Sequence, residues 1–209
     1  MAKIQRQKRK DGLRRQEQIM DVATVLFAEK GYHSTSIKEI IQTAGIAKGT
    51  FYLHFEGKFD LLETIVSSKI DILTESVKAL DISRPEPISE IKKLYRNFTQ
   101  LLIGIKNFRQ LTCIILNESI YIDPGLASRV NNFFDSTIDM AARYIKTAQD
   151  MGRVQSHFNN EIAAKCIVGS TRELFYRWAV RNEDIDFNEA LSNMLDLFLN
   201  GLLIERESN

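Results

Sequence analysis

The chain has 209 residues, 44% of them apolar and 26% charged, with a formal net charge of +1. That composition excludes a disordered or low-complexity chain, and the length allows one large domain or a small one joined to a larger one. Cys113 and Cys166 lack metal-ligand spacing and neither neighbours a histidine, so neither a zinc site nor a disulfide framework is expected.

The charge is unevenly placed. Residues 1–15 hold seven basic side chains (Lys3, Arg6, Lys8, Arg9, Lys10, Arg14, Arg15) against Asp11 alone, whereas residues 61–209 hold 17 basic and 20 acidic ones. A polyanion would therefore meet the N-terminal end. Residues 1–14 read as a flexible basic arm without the apolar segment of a secretory leader, and no apolar run approaches the 18 residues of a membrane span. A soluble, cytoplasmic protein with no membrane partner is expected.

Helical periodicity dominates from Gln16 onward. Ile19, Val22, Ala23, Leu26 and Phe27 form one stripe of an amphipathic helix that Gly31 ends. "STSIKEIIQTAG" then supplies a capping box, with Ser36 and Glu39 reciprocally placed and Ile37, Ile40, Ile41 and Ala44 inward. Gly45 closes this second helix, and a third is predicted from Ala47 to about Phe55. A long helix follows over 57–80. "DISRPEP" at 81–87 breaks it, and further helices are predicted near 88–107, 109–121, 125–152, 160–182 and 187–205. The fold class is all-α.

"AGIAKGTFYLHFEGK" (Ala44–Lys58) carries the chemistry. At about 100° per residue, Phe51 and Phe55 share one face, while Gly49, Thr50, Tyr52 and Leu53 point elsewhere. Two helices joined by a tight glycine turn, the second slim near its start, have the form of a helix-turn-helix whose second helix enters the major groove. Thr50 can offer a hydroxyl or a methyl to a base edge. Tyr52, His54, Lys48 and Lys58 can reach phosphates.

The span from about Arg15 to Ile65 strongly resembles the DNA-binding domain of the TetR family of bacterial transcriptional regulators. The markers stand in order: Phe27, Gly31-Tyr32, Thr35-Ser36, Ile40, Ala44-Gly45, Gly49-Thr50, Tyr52, His54-Phe55 and Lys58. The resemblance implies DNA contacts at Thr35, Ser36, Lys48, Gly49, Thr50, Tyr52, His54 and Lys58. Ala47 stands where the family usually has Ser, and Leu53 where a polar or aromatic residue is common. It also implies an architecture: residues 15–60 as a three-helix DNA-binding domain, linked by a long fourth helix to an effector-binding and dimerisation domain over 61–209.

The last two predicted helices are apolar over more than one stripe, which points to burial against another chain. The resemblance implies a homodimer through them, with Leu174, Phe175, Trp178, Leu191, Leu195, Phe198 and Leu202 at the interface and a roughly palindromic double-stranded operator spaced to match. It also implies a small hydrophobic or amphiphilic ligand. Asn117, Tyr121, Arg172 and Tyr176 are the polar candidates to meet that ligand. "IVGSTRELFYRWAVRNEDID" is similar to members that respond to fatty acyl-CoA.

The expected function is a ligand-released transcriptional repressor. The alternative is a DNA-binding regulator without a small-molecule effector, controlled by a protein partner or by abundance. An enzyme is not expected. His33, His54 and His157 pair with no Ser or Cys motif, and no phosphate-binding glycine loop, cofactor or metal signature occurs.

Overall fold

The structure, a computed structural model, describes residues 2–78, 96, 100 and 102–202. The 81–87 break and most of the 88–107 helix lie outside the described residues. Helices in chain order are α1 (Ala2–Lys30), α2 (Ile37–Thr43), α3 (Lys48–Tyr52) and α4 (Lys58–Lys78), then α5 (Phe108–Cys113), a π-helical turn (Ile114–Glu118), α6 (Ser119–Ile122), α7 (Pro124–Asp150), α8 (Asn160–Ala179) and α9 (Phe187–Leu202). No strand occurs among the described residues.

Residues 2–14, expected as a flexible basic arm, form the first part of α1, which runs unbroken from Ala2. Lys, Arg and Gln are good helix formers and no proline interrupts them. Gln7 donates to Asp11 one turn on, at 3.2 Å. Among the described side chains of this first half none is buried, and Leu13 is 61% exposed. The second half is the amphipathic part, with Ile19, Ala23, Leu26 and Phe27 buried.

One apolar cluster runs from α1 through Ile40, Phe51, Phe55, Leu61, Leu62 and Ile65 into Leu111, Ile114, Leu126 and Val130. The N-terminal helices therefore rest on α5 and α7 through shared core rather than through a linker alone. A smaller cluster of Ala142, Ile145 and Ala164 holds the other end of α7 against α8.

Local signals explain the starts and stops. Ser36 caps α2 by accepting from the Glu39 amide, while Gly31 (φ 82°) and Gly45 (φ 60°) take the left-handed conformation that ends a helix. Asp123 caps α7, accepting from the amides of Gly125 and Leu126 with Pro124 in the first turn. Asn159 caps α8 by accepting from the Ile162 amide at 3.0 Å.

Candidate nucleic-acid interface

Helix α3 is only five residues long and starts at Ala47, which supplies no side-chain cap. Its order comes from packing. Phe51 is fully buried and Phe55 2% exposed, their rings 5.8 Å apart, and both join the main core. Losing either ring would cost about 3–5 kcal/mol. The preceding turn is held from α1, where the Gln18 side chain donates to the Ala44 carbonyl at 2.8 Å. Sequence reasoning missed Gln18, because a polar residue on an exposed helix carries no signal of its distant partner.

The opposite side of α3 faces outward. Tyr52 is 48% exposed and Leu53, just past the helix, 82% exposed. The Tyr52 ring stands edge-on to Phe51 at 5.2 Å, with the Lys48 ammonium 5.9 Å from its centroid. Thr50 and His54 are half-buried beside them, and Ser36 is exposed at the start of α2.

Gly49 is the informative residue. A Cβ built on it meets nothing within 4 Å, and its φ is not positive. Nothing among the described residues requires glycine there, although glycine weakens a helix by about 0.5–1 kcal/mol relative to alanine. The outward side of α3 is left open at this position.

Two of the expected contacts are corrected. Thr35 is 1% exposed, and its hydroxyl lies 2.9 Å from the Gly31 carbonyl and 3.3 Å from that of Leu26. It closes the end of α1 and has no surface to offer a duplex. Lys58 is half-buried, and its ammonium donates to the carbonyls of Tyr32 (2.8 Å), His33 (3.3 Å) and Thr35 (2.8 Å). An ammonium has three hydrogens, and all three are engaged. Burial holds Lys58 below its ordinary pKa. Its role is to fasten the turn between α1 and α2. Nearby, the Lys30 ammonium, with the Ser36 amide contributing less, holds Glu39 below the usual carboxylate range.

The expected effector residues stand in different settings. Tyr121 is 85% exposed beside a shallow surface hollow bounded by Asp123, Pro124, Ala127, Ser128 and Asn131. Arg172 is exposed, its guanidinium 4.8 Å from the Phe134 ring centroid. Asn117 sits half-buried in the π-helical turn, and Tyr176 packs half-buried on the main core.

The expected dimer face is corrected in part. Leu191 and Leu195 are 3% and 7% exposed within the single chain, so they belong to its own core. Phe175 and Trp178 form an aromatic cluster with Phe108 and Phe187, at 4.6 to 6.1 Å between centroids. Arg109 lies 5.2 Å from the Trp178 ring and donates to its carbonyl. Leu174 and Phe198 are half-buried, and the Leu202 side chain lies outside the described residues. What α8 and α9 expose instead is Ile162 (61%) and Leu197 (73%), with Cys166 and Gly169 continuing the Ile162 stripe. The Cys113 thiol is half-buried, and burial, with the Glu118 charge contributing, pushes its pKa up. No group of residues able to hold a metal ion, and no helix long and apolar enough to cross a membrane, occurs among the described residues.

Comparison with known proteins agrees with this geometry. Residues 19–65 match the family described as bacterial regulatory proteins, tetR family. The HTH-type transcriptional repressor KstR2 of Rhodococcus jostii (strain RHA1) is 36% identical over 159 residues, covering 63% of this chain and 74% of that protein. The fatty acid metabolism regulator protein of Bacillus subtilis (strain 168) is 24% identical over 189 residues, covering 88% and 94%. Among solved structures, the FadR regulator from Bacillus subtilis in complex with stearoyl-CoA aligns with a TM-score of 0.69 at 24% identity, over 89% of this chain and 98% of that one.

Proposed function

The chain belongs to the TetR family of bacterial regulatory proteins and is a DNA-binding transcriptional regulator, and we propose that it works as a homodimeric repressor released from its operator by a small amphiphile. Gly49 carries the assignment of the reading face: a helix glycine with empty space around it, beside an outward Tyr52. In this reading Gly49 lets α3 sink into the major groove and Thr50 meets a base edge. Tyr52, Lys48, His54 and Ser36 meet phosphates. Residues 15–60 do the reading, and 61–209 do the dimerisation and sensing.

The dimer is built on α8 and α9 through Ile162, Cys166, Gly169 and Leu197, with Leu174 and Phe198 at the margin. Helix α8 buries only Ala164 of its twenty residues without a partner. A two-fold dimer would set the two α3 helices about one duplex turn apart on a palindromic site. The amphiphile class is supported by the half-buried Phe133, Phe134 and Phe175 and by the stearoyl-CoA bound in the FadR relative. Asn117, Arg172 and Tyr176 remain candidates to meet its polar end. Binding would bias the long α4 and alter the spacing of the α3 helices; full switching requires a preference of about 10⁴-fold between the two states.

The test has two arms. Duplexes selected from a random pool should be bound by the wild type and lost with Thr50→Ala and Tyr52→Ala combined. Equal grip by the double variant would sink the reading face. Titrating the bound complex with stearoyl-CoA and with shorter acyl-CoAs should release it. Release by none of them would favour the regulator without a small-molecule effector.

A further inference from the structure

Residues Ile114–Glu118 form a π-helical turn between two α-helical stretches. Such turns are rare, and they recur at functional sites. Here the turn aims Glu118. Its Oε2 accepts a hydrogen bond from the Tyr32 amide at 3.1 Å, across 86 residues of chain. Gly31 lines the same spot: a Cβ built there would lie 3.7 and 3.9 Å from the two carboxylate oxygens.

The start of α5 is tied to the same unit. Lys106 Nζ lies 2.6 Å from Asp21 Oδ2, and the Asn107 amide donates to Asp21 Oδ1 at 3.4 Å. The stretch from 106 to 118 is therefore anchored to α1 at Asp21 and again just beyond the end of α1 at Tyr32.

Tyr32 passes that anchor on. Its carbonyl accepts from Lys58, its ring centroid lies 4.4 Å from the Lys58 ammonium, and its ring packs 5.5 Å from Phe27. Lys58, at the start of α4, also holds His33 and Thr35. The next residue, Ser36, caps α2. Glu118 and Lys58 thus grip one turn from two sides, and that turn sets where α2 begins and hence where α3 lies.

We propose that Glu118 is a positioning residue for DNA binding: its carboxylate, aimed by the π-helical turn, holds the Tyr32 amide and so fixes the α1–α2 turn that orients α2 and α3. This rests on the DNA-binding reading and adds a route independent of α4. A turn that relaxed from π to α register would rotate Glu118 by about 100° away from Tyr32. A ligand acts through it only by preferring one of those two arrangements.

Glu118→Ala and Glu118→Gln are compared with the wild type by amide hydrogen exchange at Tyr32, by thermal melting, and by affinity for a duplex that the wild type selects from a random pool. With alanine, the Tyr32 amide should exchange faster and affinity should fall about fivefold or more, without a matching drop in melting temperature. Glutamine keeps an acceptor oxygen and should recover most of both. Unchanged exchange at Tyr32, unchanged affinity, or a glutamine variant as weak as alanine would each overturn the assignment. So would an affinity loss that tracks melting alone. Failure of the DNA-binding reading would look different: the combined Thr50→Ala and Tyr52→Ala variant would bind as the wild type does, whatever Glu118 does.

Discussion

Residues 19–65 and helix α8 bury very different shares of what they carry. In the first region most large apolar side chains are fully buried, Met20, Val22, Val25, Ile37, Ile41 and Ile46 are half-buried, and Tyr52, Leu53 and Phe59 are exposed. In α8, twenty residues long, only Ala164 is buried, while Ile162 and Cys166 lie open. A region that completes its own core can be read residue by residue, because what stays outside stands out. A region that leaves a face open withholds part of its meaning until a second chain covers it. Under the proposed function, exposure means different things in the two places: on α3 it would mark a surface for a polar ligand, and on α8 half of a hydrophobic contact.

That contrast can be broken most sharply on the C-terminal side. Leu197→Glu should weaken the dimer by about 2 kcal/mol or more, near thirtyfold in dissociation constant, as read by sedimentation equilibrium. A variant that dimerises as the wild type does would place the interface elsewhere. Lys58→Met tests the N-terminal side. It orphans three carbonyls on a partly exposed turn, so urea unfolding should show a loss of about 1–2 kcal/mol. If stability holds and only DNA affinity drops, Lys58 is a phosphate contact after all. The smallest effect is the most diagnostic. Gly49→Ala should raise stability by about 0.5–1 kcal/mol while lowering affinity for selected duplex. Both quantities moving together would mean that glycine is there for the fold.

The helix-turn-helix was legible because its signals are local. Ser36 with Glu39, Gly45, and the Phe51–Phe55 spacing each act within a few residues, and the structure places all three as read. Thr35 and Lys58 were misassigned for a common reason. Both are polar residues in a motif that touches DNA, yet their partners are backbone carbonyls, and carbonyls leave no trace in a sequence. Glu118 leaves no local signal in the sequence, because the π-helical turn that aims it and the distant Tyr32 amide that it meets are both visible only in the fold. Leu191 and Leu195 look identical to interface residues by periodicity. Only the packing of Phe108, Phe175, Trp178 and Phe187 around α5, α8 and α9 shows that α9 turns that stripe inward. The basic stretch before Gln16 continues as helix because its Lys, Arg and Gln residues are good helix formers, which outweighs the single Gly12.

The two cysteines differ enough in setting to be told apart by chemistry. Cys113 is half-buried with a thiol biased toward its protonated form, whereas Cys166 is exposed on the open side of α8. Only the thiolate reacts with a maleimide or an iodoacetamide, so at neutral pH such a reagent will mark Cys166 first, without any engineered substitution. A dye placed there sits on the very surface that a second subunit would cover. Its accessibility then becomes a gauge of assembly that works at concentrations too low for sedimentation.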